Sequence, residues 1–325
     1  METILIVAVV LSGLLAINVG ANNSAAAMAT SYGAGARTKR QAVVLIAVFA
    51  ILGAVIAGAP VVETMGKGIV PQDVFSSDAL LTALVLVIAL VFVSVANISR
   101  VPVATTHAIV CSIAGIGLYY GALNHERFIQ IIGWWIAAPV LSWAVGFFVG
   151  KFLYYRILNY FVDNFSEEGV SRVLKWCVTV SGTFLAFSAG ANNSANAVGP
   201  IVGLGLFESS TGALFAGVAM AAGAIILGGR VLETVGKEIT EICLIRAITV
   251  EATAAVIIVV ASLYGIPVSI TEIVTAGIVG FSCAQHGFGK TARNRHVLRI
   301  GFFWVAVPCV TVAVGYAVAM MFVIK

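Results

Sequence analysis

Two short polar runs interrupt otherwise apolar sequence: Gly20-Ala21-Asn22-Asn23-Ser24 and, 170 residues later, Gly190-Ala191-Asn192-Asn193-Ser194. Glycine lets backbones approach closely, and the Asn amides and the Ser24 and Ser194 hydroxyls supply neutral donors. A helix restarting after such a run would add free N–H groups and its positive dipole end, which together suit an oxyanion. The carboxamide oxygens of Asn22, Asn23, Asn192 and Asn193 also suit Na⁺, so an anion and a cation can sit side by side. The competing reading is close packing through small residues, with Asn as interhelical glue. Two copies at matching positions favour binding.

A second polar group follows Pro102-Val103: Thr105, Thr106 and His107, echoed by Ser269, Thr271 and Glu272 after Pro267-Val268. A proline that opens a helix puts these hydroxyls beside another helix N-terminus, where they either meet an anion or cap their own backbone. His107 and Glu272 hold equivalent places, and ionisable groups at membrane depth are costly enough to be candidates for coupling, as a proton relay. Asn22, Asn192 and Asn196 join them as candidate coupling residues. Glu63 with Lys67, and Glu233 with Lys237, stand at i,i+4. Each pair is either a helix-surface salt bridge or, through Glu63 and Glu233, a gate or cation ligand. Glu251 lies in an apolar run with no matched partner.

The elements that must position these residues are set by composition. Of 325 residues, 61% are hydrophobic and 10% charged, against roughly 25% charged in soluble domains. The apolar runs approach the roughly 20 helical residues needed to cross a bilayer core. The expected class is therefore all-α and integral to the membrane. The net charge of +4 reads as loop bias, and no basic, aromatic-interleaved stripe indicates nucleic acid. Five solitary cysteines imply neither a disulfide framework nor a metal site, and no organic cofactor is expected. Asp73, Asp78 and Asp163 fall in expected loops and give no catalytic pair, so an enzyme is not expected.

Gly53-Ala-Val-Ile-Ala-Gly-Ala-Pro-Val-Val-Glu-Thr-Met-Gly-Lys recurs as Gly223-Ala-Ile-Ile-Leu-Gly-Gly-Arg-Val-Leu-Glu-Thr-Val-Gly-Lys, again 170 residues on. Trp135 with Pro139 is echoed by Trp304 with Pro308. The chain thus divides into a first transmembrane repeat at 1–150, an interfacial linker at 151–172, and a second repeat at 173–325. Arg37, Lys39 and Arg40 follow the first polar motif where the second has Glu208, whereas Lys290, Arg293, Arg295 and Arg299 match the balanced His125-Glu126-Arg127. Equivalent loops then lie on opposite sides, which an inverted-topology repeat with about ten net crossings satisfies. The amino terminus is expected outside the cell membrane. The run from Thr3 to Ala36 exceeds one simple crossing, so broken or re-entrant helices are expected at both GANNS motifs.

At these motifs the chain resembles the inorganic phosphate transporter family, PiT, with its two GAND-type signatures and PVSTTH-type segments. Gly20, Ala21, Asn22, Gly190, Ala191, Asn192 and Asn196 match the signatures. Pro102, Val103, Thr105, Thr106, His107, Pro267, Val268, Ser269 and Thr271 match the second segment. The resemblance spans the chain and implies cation-coupled secondary transport of phosphate, driven by Na⁺ or H⁺. Asn23 and Asn193 replace the family Asp, Ala26 replaces an Asn, and Ile270 and Glu272 depart from the second segment. Members similar in lacking these acids are taken to be sulfate permeases, which makes sulfate the alternative substrate and a passive anion channel the third. The bilayer and a second copy of the chain are the remaining candidate partners.

Overall fold

A computed structural model describes residues 2–77, 79–99, 104–229, 232–233 and 244–323, and the side chains of 24–26, 77, 95–99, 296 and 323 lie outside this description. The first half contains α1 (Glu2–Gly33), α2 (Lys39–Ala57), α3 (Ala59–Glu63), α4 (Gln72–Ser77), α5 (Ala79–Ser99), α6 (Thr105–Tyr119), α7 (His125–Phe148) and α8 (Tyr154–Asn164). The second contains α9 (Glu167–Gly203), α10 (Ser209–Gly223), α11 (Leu244–Leu263), α12 (Ile270–His286), α13 (Phe288–Ala292) and α14 (Arg295–Val323). Wider π-helical turns follow α3 at Thr64–Gly68, α7 at Val149–Leu153 and α10 at Ala224–Gly228.

Seven helical stretches among the described residues are long and apolar enough to cross a membrane. Their outer faces carry Ile6, Val55, Ile136, Val218 and Val305, all exposed, as expected where lipid is the solvent. The amphipathic α8 buries nothing. Helix starts follow local chemistry. Thr38 and Gln41 form a reciprocal capping box at α2, while Asn124 and Ser166 cap α7 and α9.

The expected breaks at the GANNS motifs are absent. α1 and α9 run unbroken through them for 32 and 37 residues, about 48 and 55 Å at roughly 1.5 Å per residue. Alanine-rich flanks favour helix, and the Asn side chains find partners across the interface without unwinding the backbone. The interruption lies elsewhere, at Tyr264–Ser269 between α11 and α12. The corresponding Pro102 and Val103 lie outside the described residues.

Glycines set the packing of the halves. A Cβ on Gly20 would stand 2.0 Å from the Met220 carbonyl oxygen of α10, and one on Gly190 would stand 2.0 Å from that of Ala50 in α2. Gly53 faces Phe187 and Gly223 faces Ile17 in the same way, at 1.8 and 1.9 Å. Each contact in one half thus has its counterpart in the other. A similar reciprocity joins α6 to α14 through Gly115 and Val312, and α7 to α12 through Trp143 and Gly280. α1 and α9 run antiparallel, since Ser12 bonds the Ala197 carbonyl at one end and Ser31 bonds that of Val178 at the other.

Candidate functional site

The polar residues of both motifs converge where α1 and α9 cross and where α6 and α12 begin. Asn193 donates from Nδ2 to Asn23 Oδ1 at 3.1 Å. Asn196, one turn later on α9, donates to Thr106 Oγ1 at 3.1 Å, with Thr105 Oγ1 at 3.5 Å and Asn193 Oδ1 at 3.4 Å. Thr106 in turn donates to the Val268 carbonyl at 3.1 Å. That bond puts the first turn of α6 against the residues leading into α12. Two helix N-termini, each with a partial positive charge and that of α6 without a side-chain cap, therefore meet beside one buried amide cluster.

Asn192 has a different task. Its Nδ2 donates to Ser262 Oγ and to the Ile266 carbonyl, both at 3.0 Å, while its Oδ1 accepts from Val268 N at 2.9 Å. It supplies the partners that the interrupted backbone between α11 and α12 would otherwise lack. Trp135 fastens the same segment by donating to the Pro267 carbonyl at 2.8 Å. Asn22 is half-buried on α1. The Ser24 side chain lies outside the described residues.

His107 and Glu272 meet across the two N-termini, with Nδ1 and Oε1 3.2 Å apart and both side chains nearly fully buried. Trp135 packs on the imidazole, ring centroids 3.8 Å apart. Ser269 caps its own helix, accepting from Glu272 N at 3.3 Å, so the self-capping reading holds for this hydroxyl. Thr271 is half-buried beside it.

Two buried polar atoms of this cluster have no hydrogen-bond partner, Asn23 Nδ2 and Asn196 Oδ1; Ser194 Oγ is also unpartnered but lies on another face of α9, against Gly58 at the end of α2. Native interiors rarely leave such groups unpaired, and a bound ion is one standing explanation. The set offers donors to an anion and a carbonyl oxygen to a cation.

Glu63 and Glu233 stand apart from this cluster. No ion pair joins Glu63 to Lys67, because Thr64–Gly68 is wound as a π-turn and the i,i+4 register is lost. Glu63, Thr64 and Lys67 instead line a polar cavity of about 370 Å³ with Arg127, Tyr264 and Gly265. Glu233 pairs with Lys39 of α2 at 2.9 Å, and Lys237 lies outside the described residues. Arg127 was legible only as a loop charge. It donates through Nη2 to Thr64 Oγ1 at 2.9 Å and to the carbonyls of Tyr264 at 2.9 Å and Gly265 at 3.1 Å.

Comparison with known proteins agrees with this architecture. The chain matches the phosphate transporter family over residues 19–315. It is 32% identical over 318 residues to the sulfate permease CysP of Bacillus subtilis, covering 97% of this chain and 87% of that one. It is 26% identical over 414 residues to an inorganic phosphate transporter of Arabidopsis thaliana chloroplasts, covering 95% and 70% of the two chains. A solved structure titled the sodium-dependent phosphate transporter superimposes with a TM-score of 0.82 at 26% identity, covering 99% of each chain. With its helices long enough to cross a bilayer and a match that runs almost end to end, the chain belongs to the phosphate transporter family and is a multi-pass membrane transporter, not an enzyme.

Proposed function

We propose that the chain carries inorganic phosphate across the cell membrane by secondary active transport coupled to a cation, Na⁺ or H⁺. The observation that carries this reading is the Thr106–Val268 bond, which brings the N-termini of α6 and α12 together at one end of the Asn196–Asn193–Asn23 amide chain, where Asn23 Nδ2 and Asn196 Oδ1 have no partner. Such a cradle replaces the water shell of an oxyanion with preoriented N–H and hydroxyl donors. The substrate ligands are Asn23, Thr105, Thr106, Asn193 and the N–H groups at both helix starts, with Asn22, Ser24, Ser194, Ser269 and Thr271 around them. Asn196 Oδ1 and the neighbouring carboxamides serve a cation.

Phosphate at neutral pH donates a hydrogen bond that sulfate cannot, and the carboxyl of Glu272 is the acceptor that favours it. Sulfate is the second reading. It is favoured by neutral Asn23 and Asn193 where the family carries acids, and by likeness to the bacillary sulfate permease.

The halves act as inverted repeats, 1–150 and 173–325, joined by an interfacial linker at 151–172, with about ten crossings and the amino terminus outside. The antiparallel α1 and α9 and the reciprocal glycine contacts support the inversion, and the loop charges Arg37, Lys39 and Arg40 are the ground for the amino terminus. Rocking of one bundle against the other then exposes the cluster to each side in turn. The test is competition between radiolabelled phosphate and sulfate in sealed proteoliposomes under imposed Na⁺ or proton gradients. Phosphate should concentrate and sulfate should compete weakly. Equilibration without accumulation under either gradient would mean a channel.

A further inference from the structure

The polar cavity of about 370 Å³ lies outside the amide cluster, where the first half meets the start of the interrupted segment. Its walls include Glu63 and Lys67 around the turn after α3, Arg127 from the first turn of α7, and Tyr264 and Gly265. The volume is far above the roughly 10–15 Å³ that a single water requires, so a small hydrated ion has room. Two cations and one carboxylate line it, which leaves the walls net positive. No carboxylate among the described residues lies within ion-pair distance of Lys67 or Arg127.

Arg127 is held at the cavity by neutral oxygens. Its Nη2 carries two hydrogens, yet three acceptors lie within 3.1 Å: Thr64 Oγ1 and the carbonyls of Tyr264 and Gly265. One of these bonds is therefore only shared. Nη1 donates to Gln130 Oε1 at 2.5 Å, and Nε meets no acceptor among the described residues. Such a guanidinium has no counterion, and its planar fork matches the paired oxygens of a phosphate-like anion.

The geometry points to an entrance site. An oxyanion is first held in this cavity by Lys67 and Arg127, and it takes Arg127 N–H groups from the Tyr264 and Gly265 carbonyls before it reaches the amide cluster. This deepens the transport reading above and rests on it. The two places share one stretch of backbone: Gly265 is three residues from Val268, at most about 11 Å of chain, and Val268 accepts from Thr106 at the cluster. Asn192 and Trp135 hold Ile266, Pro267 and Val268, while Arg127 holds Tyr264 and Gly265. Of these fastenings, the one made by Arg127 is charged and lines the cavity, so an entering anion competes for that one. A Cβ on Gly265 would stand 2.8 Å from the Pro60 carbonyl oxygen and 3.0 Å from Arg127 Nη2, so the segment is shut tightly against the first half while Arg127 holds it. Lys67 is exposed at the rim. A cation placed there raises the local concentration of an arriving anion, an effect that salt screens, and Glu63 on the same wall offsets part of it.

The test uses the full chain, in proteoliposomes and in detergent. Lys67→Gln should lower kcat/KM for labelled phosphate by about tenfold at low ionic strength, with most of the loss in KM, and should flatten its salt dependence. The Tyr264 and Gly265 amides donate to the Val260 and Ser262 carbonyls, so hydrogen exchange there reports loosening of the segment. Inorganic phosphate or sulfate should speed that exchange in the wild type, and chloride at equal ionic strength should not. Asn196→Ala, which impairs the amide cluster, should keep the phosphate response. Arg127→Gln should exchange fast with or without phosphate, and Arg127→Lys should recover part of the response. The inference is overturned if phosphate leaves the exchange unchanged, if chloride acts as phosphate does, if the response vanishes in Asn196→Ala, or if Lys67→Gln keeps the wild-type salt dependence. The Lys67 ammonium bonds nothing among the described residues, so its variant decides the matter even where Arg127→Gln fails to fold. A wild type that concentrates neither phosphate nor sulfate, while phosphate still speeds the exchange, would defeat the transport reading and leave the entrance site standing.

Discussion

Asn192 and Asn196 are four residues apart on one helix, carry the same functional group, and do different work. Asn192 has both amide hydrogens committed to Ser262 and Ile266 and its oxygen to Val268 N. Truncation to Ala would orphan a buried carbonyl and a buried N–H, each costing about 1–3 kcal/mol. Asn192→Ala should therefore lower the melting temperature in detergent clearly, and transport would fall with it. Asn196 keeps Oδ1 unpartnered and bonds only other side chains. Asn196→Ala should cut phosphate uptake severely while shifting the melting temperature much less, measured on the same preparations. Equal losses of stability would remove the distinction between a staple and a ligand.

At the scale of elements, the helices and their spacing were legible because apolar periodicity and capping residues are local signals. The apolar runs expected to approach bilayer length are helices in the fold, α2, α5, α6 and α7 among them. What sequence could not give was where the backbone breaks. Gly20 and Gly190 look like helix breakers in one dimension, yet each is the point where a neighbouring carbonyl comes within 2.0 Å of a would-be Cβ. The partner in each case lies in the other half, and no local window contains it. The convergence of Asn23, Asn193, Thr106 and Val268 was foreseeable from the paired motifs. The staple by Asn192 and the clamp by Arg127 were not, because their partners are backbone carbonyls that carry no side-chain signature. Gly20→Ala and Gly190→Ala should each destabilise by about 1–3 kcal/mol or more through overpacking. Gly133→Ala and Gly289→Ala, with nothing within 4 Å of the added methyl, should melt as the parent does. Arg127→Ala should raise amide hydrogen exchange at Tyr264–Gly265 and at the Thr64–Gly68 turn, and leave α1 and α9 protected.

At the scale of the whole molecule, the charged contacts among the described residues are few and most of the burial is apolar. The Lys39–Glu233 pair links α2 to the second half with both side chains more than 40% exposed. Partly exposed pairs contribute about 0–1 kcal/mol, so Lys39→Ala should shift the melting temperature little at moderate salt. Cohesion between the halves comes instead from close crossings such as those of α1 on α10 and α2 on α9, each seated by two glycine contacts.

Those crossings carry a consequence for biogenesis. Gly20 and Gly53 find their seats only on Met220 and Phe187, segments that leave the ribosome well over a hundred residues later. At roughly 5–20 residues per second, the bare glycine faces of α1 and α2 wait in lipid for about 7 to 40 seconds before their partners are made. A stall in translation near Ser166 should thus yield a membrane-embedded but protease-sensitive fragment, and supplying residues 166–325 from a second message should rescue it.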